Sequence, residues 1–125
     1  KCKKEATHNI YILGWIDHND PLLASAYANA KVVILPSYKE TFGNVLIEGG
    51  ASGANLIVSN TIPISKEKIF ENIIKVNPKN IQEIKEAIKK AYSIPKNEEF
   101  KEKILQEFSI DNIINKHINI YSKIV

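Results

Sequence analysis

Two carboxylates, Glu40 and Glu48, stand eight residues apart with the dipeptide Phe42-Gly43 between them. A carboxylate only accepts hydrogen bonds, so each suits a ligand that donates them, such as the hydroxyls of a ribose or a hexose. The surrounding segment runs Pro36-Ser37-Tyr38-Lys39-Glu40-Thr41-Phe42-Gly43-Asn44-Val45-Leu46-Ile47-Glu48. A helix starting at the Phe-Gly turn would leave the first amides around Phe42, Gly43, Asn44 and Val45 without partners. Those amides and the helix dipole favour an anion, and a diphosphate is the obvious one. Gly43 allows the backbone to approach a ligand with no side chain in the way. Two carboxylates flanking an anion site imply a sugar on each side of a phosphate group, as in a nucleoside diphosphate sugar.

Other reactive side chains fit less well. Lys39 could add positive charge beside the turn, but it reads as a solvated surface lysine. His18 falls in the loop after an apolar run, where acid–base work can be imagined; His8 and His117 read as surface residues. Ser37 has no neighbouring base to activate it. Trp15 could stack on a nucleobase, yet a single Trp beside a strand reads as half-buried packing. Phe42 likewise reads as turn packing. No His/Asp/Cys cluster suggests a metal, and no Gly-x-Gly-x-x-Gly follows a strand, which argues against a dinucleotide-dependent dehydrogenase.

The elements that must hold the two acids follow from hydrophobic patterning. Ile10-Tyr11-Ile12-Leu13 before Gly14 reads as a buried strand. Asp20-Pro21 opens a helix, since Asp caps free amides and Pro is tolerated in the first turn. Leu22, Leu23, Ala26, Tyr27 and Ala30 give that helix its apolar face. Val32 to Leu35 is a second strand, closed by Pro36-Ser37. A short helix from about Asn44 to Ser52 ends at Gly53. Its run Gly49-Gly50 costs about 1 kcal/mol per glycine relative to Ala, so a strand, helix or ligand should approach it closely. Leu56-Ile57-Val58 and Ile73 to Val76 are further strands.

The remainder is helical. Asn80 and Glu83 resemble a capping box, and Ser109 can cap a last helix with the apolar face Ile110, Ile113, Ile114, Ile118, Tyr121 and Ile124. Packing against the domain, or against a part outside this sequence, is expected of that face. Alternating strands and helices imply a parallel sheet covered on both faces. Ligands of such sheets bind beyond the carboxyl ends of the strands.

Composition restricts the partners. The chain has 125 residues, 44% hydrophobic and 25% charged, within the ordinary globular range. Its formal net charge is +3 with Lys as the only strongly basic residue. The absence of Arg and of a basic stripe argues against nucleic acid. Cys2 is the single cysteine; it suits a reducing compartment and reads as an inert terminal thiol. No leader-like apolar segment follows Lys1-Cys2-Lys3-Lys4. Position 1 is not Met, so the sequence reads as an excised piece of a longer chain.

The stretch from Gly14 to Ser59 resembles the donor-binding domain of retaining glycosyltransferases with a GT-B fold (glycosyltransferase family four). The residues that carry the resemblance are Gly14, Leu22, Tyr27, Pro36, Ser37, Glu40, Phe42, Gly43, Glu48, Gly53 and Ile57-Val58-Ser59, with Phe108-Ser109 and Tyr121 resembling the closing helix. It implies an α/β fold: a Rossmann-like parallel sheet with helices on both faces, the C-terminal half of a GT-B fold without its first strands. Residues 1–125 would form one partial nucleotide-sugar-binding domain, with C-terminal helices in 97–125.

Glu40 would be the catalytic-site carboxylate on the transferred sugar, and Glu48 would hold the ribose. The Phe42, Gly43, Asn44 and Val45 backbone would meet sugar and phosphates, and the Trp15 and Ile16 backbone the nucleobase. No metal or cofactor is implied beyond the nucleotide sugar as substrate. The partners would be that donor and a sugar, glycan or lipid-linked acceptor reached through an N-terminal domain. The implied setting is glycan, lipopolysaccharide, capsule or glycolipid synthesis in the cytoplasm, with peripheral attachment to a membrane open for the full-length enzyme. The sequence departs from the pattern in lacking the upstream strands, Gly-rich turn and basic pair, and in having Gly49-Gly50 after the second Glu. A non-catalytic partner-binding domain and another GT-B enzyme, such as a sugar-nucleotide epimerase, remain alternatives.

Overall fold

The computed structural model describes residues 7–124; Cys2 and its neighbours lie outside them. Helix α1 (Pro21–Asn29) precedes strand β1 (Val32–Leu35), helix α2 (Asn44–Ala51) and strand β2 (Asn55–Ser59). Two 3-10 turns, Pro63–Lys66 and Lys68–Phe70, lead to strand β3 (Ile74–Val76). Helices α3 (Ile81–Ser93), α4 (Glu98–Glu107) and α5 (Ile110–Tyr121) complete the chain.

The strands form one parallel sheet in the order β1-β2-β3, with Val33 opposite Leu56, Ile34 opposite Ile57 and Ile57 opposite Ile74. Successive side chains point to opposite faces, which splits the core in two. Val33, Leu56 and Val58 join Leu46, Ile62, Ile64, Phe70 and Ile104 on one face. Ile57 and Val76 join Ala87 and Ala91 of α3 on the other, with Val32, Ile34, Ile74 and Ile84 half-buried around them. All five residues of β2 are buried, as a central parallel strand requires. The expected α/β sheet with helices on both faces is therefore present.

Local signals place the helix ends. Asp20 accepts the Leu22 amide at 2.9 Å, Asn80 the Glu83 amide at 3.1 Å and Ser109 the Asn112 amide at 3.2 Å. The Asn80–Glu83 box is half closed, because Glu83 reaches the Asn77 amide instead of that of Asn80. Buried Asn55 stops α3 from the opposite side, its side-chain amide lying 2.9 Å from the Ala91 carbonyl and 3.2 Å from that of Ile94.

Two expectations need correction, and for a third one of its two alternatives is removed. Ile10 to Leu13 is not a buried strand: it has no ladder partner among the described residues, and all four side chains are exposed. An apolar run becomes a strand only where a neighbour satisfies its amides and carbonyls, and β1, an edge of the sheet, does not take that place. Trp15 is not half-buried packing either, since 92% of it is exposed. Helix α5 leans on α4 yet buries none of its residues, so its apolar face does not pack into the domain.

The Gly49-Gly50 pair finds its reason in α2. A Cβ on Gly49 would stand 3.0 Å from Val33 Cβ and Cγ1 and 3.0 Å from Leu56 Cδ2; one on Gly50 would stand 3.0 Å from Ile104 Cγ1. The first glycine seats α2 on β1 and β2, the second on α4. No ligand is needed to explain either. Gly49→Ala recovers about 1 kcal/mol of helix propensity but overpacks a β-branched strand residue, which costs about 1–3 kcal/mol. The expected outcome is a net loss, read as a lower urea midpoint for Gly49→Ala than for the wild type.

Candidate functional site

The sheet determines where the two acids emerge. Strand β1 ends at Leu35 and the chain turns through residues 36–43 before α2 begins. Gly43 is the N-cap of α2, with φ 87° and ψ 50° and no side chain capping the helix. That left-handed backbone is open to glycine and strained for other residues. The first main-chain bond of the helix is Leu46 N–H to Gly43 C=O at 2.9 Å. The amides of Asn44 and Val45 therefore have no helical acceptor, which is the arrangement that attracts an anion.

Glu40 lies beside this helix end. Its Cγ is 3.6 Å from where a Cβ on Gly43 would stand, and its Oε1 accepts the Thr41 amide at 2.9 Å. Glu40 is half-buried, and a carboxylate has the capacity to accept further donors. Glu48 follows Asn44 by four positions, about 6 Å farther along the helix axis. It faces α1 and lines a shallow depression of about 610 Å³ with Tyr27, Ala51, Lys96 and Lys101. This is the largest of the described concavities.

Within the depression, the Tyr27 phenol is held well above its ordinary pKa, first by burial and then by the neighbouring Glu48 carboxylate. Lys96 is less available than its charge suggests: its ammonium lies 2.8 Å from the Ala28 carbonyl and 3.5 Å from that of Ser52, at the ends of α1 and α2. Lys101 pairs with Glu98 at 3.2 Å.

The structure thus gathers Glu40, Gly43, Asn44 and Val45 at one helix end and sets Glu48 one turn up the same helix. Phe42 turns away from them, its ring edge-on to Phe108 at 6.4 Å, and Phe108 in turn meets buried Phe70 at 6.4 Å. Its role as turn packing agrees with the sequence reading, although half of it stays exposed. Trp15 and Ile16 lie in an irregular segment, and no hydrogen bond joins them to residues 36–48 among the described residues. His18 and Lys39 are exposed. Tyr27 and Phe108, named in the sequence only as fold markers, are contacts of the site; nothing in their spacing signals that, because both meet it across the fold. Among the described residues no group of three or more His, Cys, Asp and Glu side chains converges as a metal site would, and no helix is long and apolar enough to cross a membrane.

The family described as glycosyl transferases group 1 matches residues 2–107. A protein described as an uncharacterized glycosyltransferase, from Methanocaldococcus jannaschii, is 31% identical over 122 residues, which cover 91% of this chain. The chain spans 30% of that relative's length. No solved structure gives a significant match.

The Tyr27–Glu48 contact has a measurable signature. The raised phenol pKa means that its protonated form is favoured by folding, so the stability it contributes is complete below the unfolded value near 10. That contribution is lost as pH climbs through the higher folded value. A tyrosinate difference titration between wild type and Tyr27→Phe should show the wild-type excess developing above pH 10; an excess with its midpoint at the ordinary value near 10 would contradict the contact.

Proposed function

The chain belongs to the glycosyl transferases of group 1, and from that premise we propose that it forms the donor site for a nucleoside diphosphate sugar. The observation that carries this reading is the uncapped start of α2 with Glu40 against it and Glu48 one turn on. The diphosphate takes the amides of Asn44 and Val45, where the helix dipole adds to the attraction. Glu40 accepts hydroxyls of the transferred hexose, and Glu48 accepts those of the ribose. The depression shared with Tyr27 gives the nucleoside side of the ligand room beside α1.

In the complete enzyme the diphosphate leaves the anomeric carbon while an acceptor hydroxyl attacks from the same face, so configuration is retained. Rate enhancement comes from stabilising charge on the departing phosphate and from aligning the two sugars. The acceptor is a sugar, glycan or lipid-linked alcohol held by another part of the enzyme. No metal is called for, and EDTA should leave donor affinity unchanged. The backbone at Trp15 and Ile16 is the place proposed for the base.

Calorimetric titration of the full-length protein with UDP, GDP and ADP, and with UDP-glucose, GDP-mannose and ADP-glucose, tests this assignment. Hydrogen bonds to a charged group contribute about 1.5–3 kcal/mol, so Glu48→Gln should weaken the best nucleotide about 10-fold or more. Glu40→Gln should spare the free nucleotide and weaken only its sugar conjugate. Absence of binding by every probe, or binding indifferent to both substitutions, would favour a non-catalytic partner-binding domain. Product analysis with and without an acceptor separates transfer from epimerisation.

A further inference from the structure

We propose that Thr61 is a positioning residue for Glu40, acting through a hydroxyl relay that joins the exit of β2 to the loop after β1; the inference rests on the donor-site reading above. Strand β2 ends at Ser59, which is fully buried, and Asn60 extends its pairing with β3 by donating to the Val76 carbonyl at 2.9 Å. The next residue, Thr61, is exposed. Its Oγ1 lies 2.7 Å from Ser59 Oγ and 3.3 Å from the Tyr38 carbonyl, and its amide donates to Ser59 Oγ at 3.2 Å.

The proton order follows from counting donors. A carbonyl can only accept, so the single Thr61 hydroxyl proton goes to Tyr38. The Ser59 hydroxyl must then donate to Thr61 Oγ1 while its own oxygen accepts the Thr61 amide. Each bond in such a chain polarises the next, and the buried end is anchored in the central strand. The relay closes on the backbone two residues before Glu40.

A second contact holds the other side of Glu40. Ile64, buried beyond Thr61, places its Cγ2 3.4 Å from where a Cβ on Gly43 would stand. The β2 exit therefore grips the loop at Tyr38 by hydrogen bond and at Gly43 by packing, and Glu40 hangs between the two. These grips separate by chemistry. Loss of the Thr61 hydroxyl frees the Tyr38 end, whereas Gly43, the start of α2 and Glu48 stay seated on Ile64, Val33 and Leu56. Because Thr61 is exposed and contributes nothing to either core cluster, its role is confined to the loop.

The test compares Thr61→Val, which keeps the shape and removes the hydroxyl, with Thr61→Ser, which keeps the hydroxyl. Both are made in the full-length protein and titrated with the best nucleoside diphosphate and its sugar conjugate among the UDP, GDP and ADP pairs. Thr61→Val should lose about 5-fold in affinity for the sugar conjugate, the size of one hydrogen bond. It should bind the free diphosphate within about twofold of wild type and melt with the same profile as wild type, and Thr61→Ser should restore the conjugate. Equal weakening of both ligands, no weakening of either, or failure of Thr61→Ser to restore overturns the positioning role. Run beside them, Glu40→Gln separates the two ideas. If it weakens only the conjugate while Thr61→Val does nothing, the relay fails and the donor site stands. If Glu40→Gln leaves the conjugate unaffected, the donor-site reading itself falls and takes the relay with it.

Discussion

The close seating of α2 on the sheet is the contact from which the rest of the site follows. Two successive glycines let the helix backbone meet Val33 and Leu56 on one side and Ile104 on the other, at distances where any Cβ would already be crowded. That contact determines the height and tilt of the helix over the ends of β1 and β2. Its uncapped first turn then faces outward beside Glu40, and its fifth residue, Glu48, turns toward Tyr27. A longer side chain at either glycine would move both acids together, because they share one rigid helix and the loop that enters it.

Packing around the start of α2 leaves main-chain amides uncapped beside Glu40. Gly43 takes a left-handed conformation and supplies no capping side chain; Ser, Thr, Asp or Asn would cap the helix only from the extended backbone that N-cap residues adopt. The other described α-helices do have such caps: Asp20, Asn80, Asn97 and Ser109 each accept an amide from the first turn. Among the described α-helices, the one beside Glu40 is thus the one without a side-chain cap. Local rules are commonly broken where function needs an unsatisfied group.

The apolar surface is distributed unevenly. Buried side chains concentrate around β2 and its neighbours, with Phe70 joining α4 and the α4–α5 junction through Phe100 and Phe108. By contrast, Ile10 to Leu13, Trp15 and the isoleucines of α5 remain exposed. Phe42 lies between these regimes, half exposed yet resting on Phe108. The loop that carries Glu40 is thus tied to the ends of α4 and α5 as well as to the sheet.

Much of the fold was legible in residue order alone. Short continuous apolar runs marked β1, β2 and β3, while Asp20, Asn80 and Ser109 marked helix starts through bonds only two or three residues long. The Glu40–Glu48 spacing around Phe42-Gly43 identified the candidate site for the same reason, since a turn and the first helical residues after it are local structure. The sequence could not decide whether Ile10 to Leu13 would pair, because an apolar run records a demand for burial and not the presence of a partner. Nor could it show that Gly49 and Gly50 face a strand and a helix, that Tyr27 meets Glu48, or that Thr61 reaches the Tyr38 carbonyl. Those contacts join residues up to 54 positions apart, as Gly50 and Ile104 are, and they exist only once the sheet has set the distance between the elements that carry them.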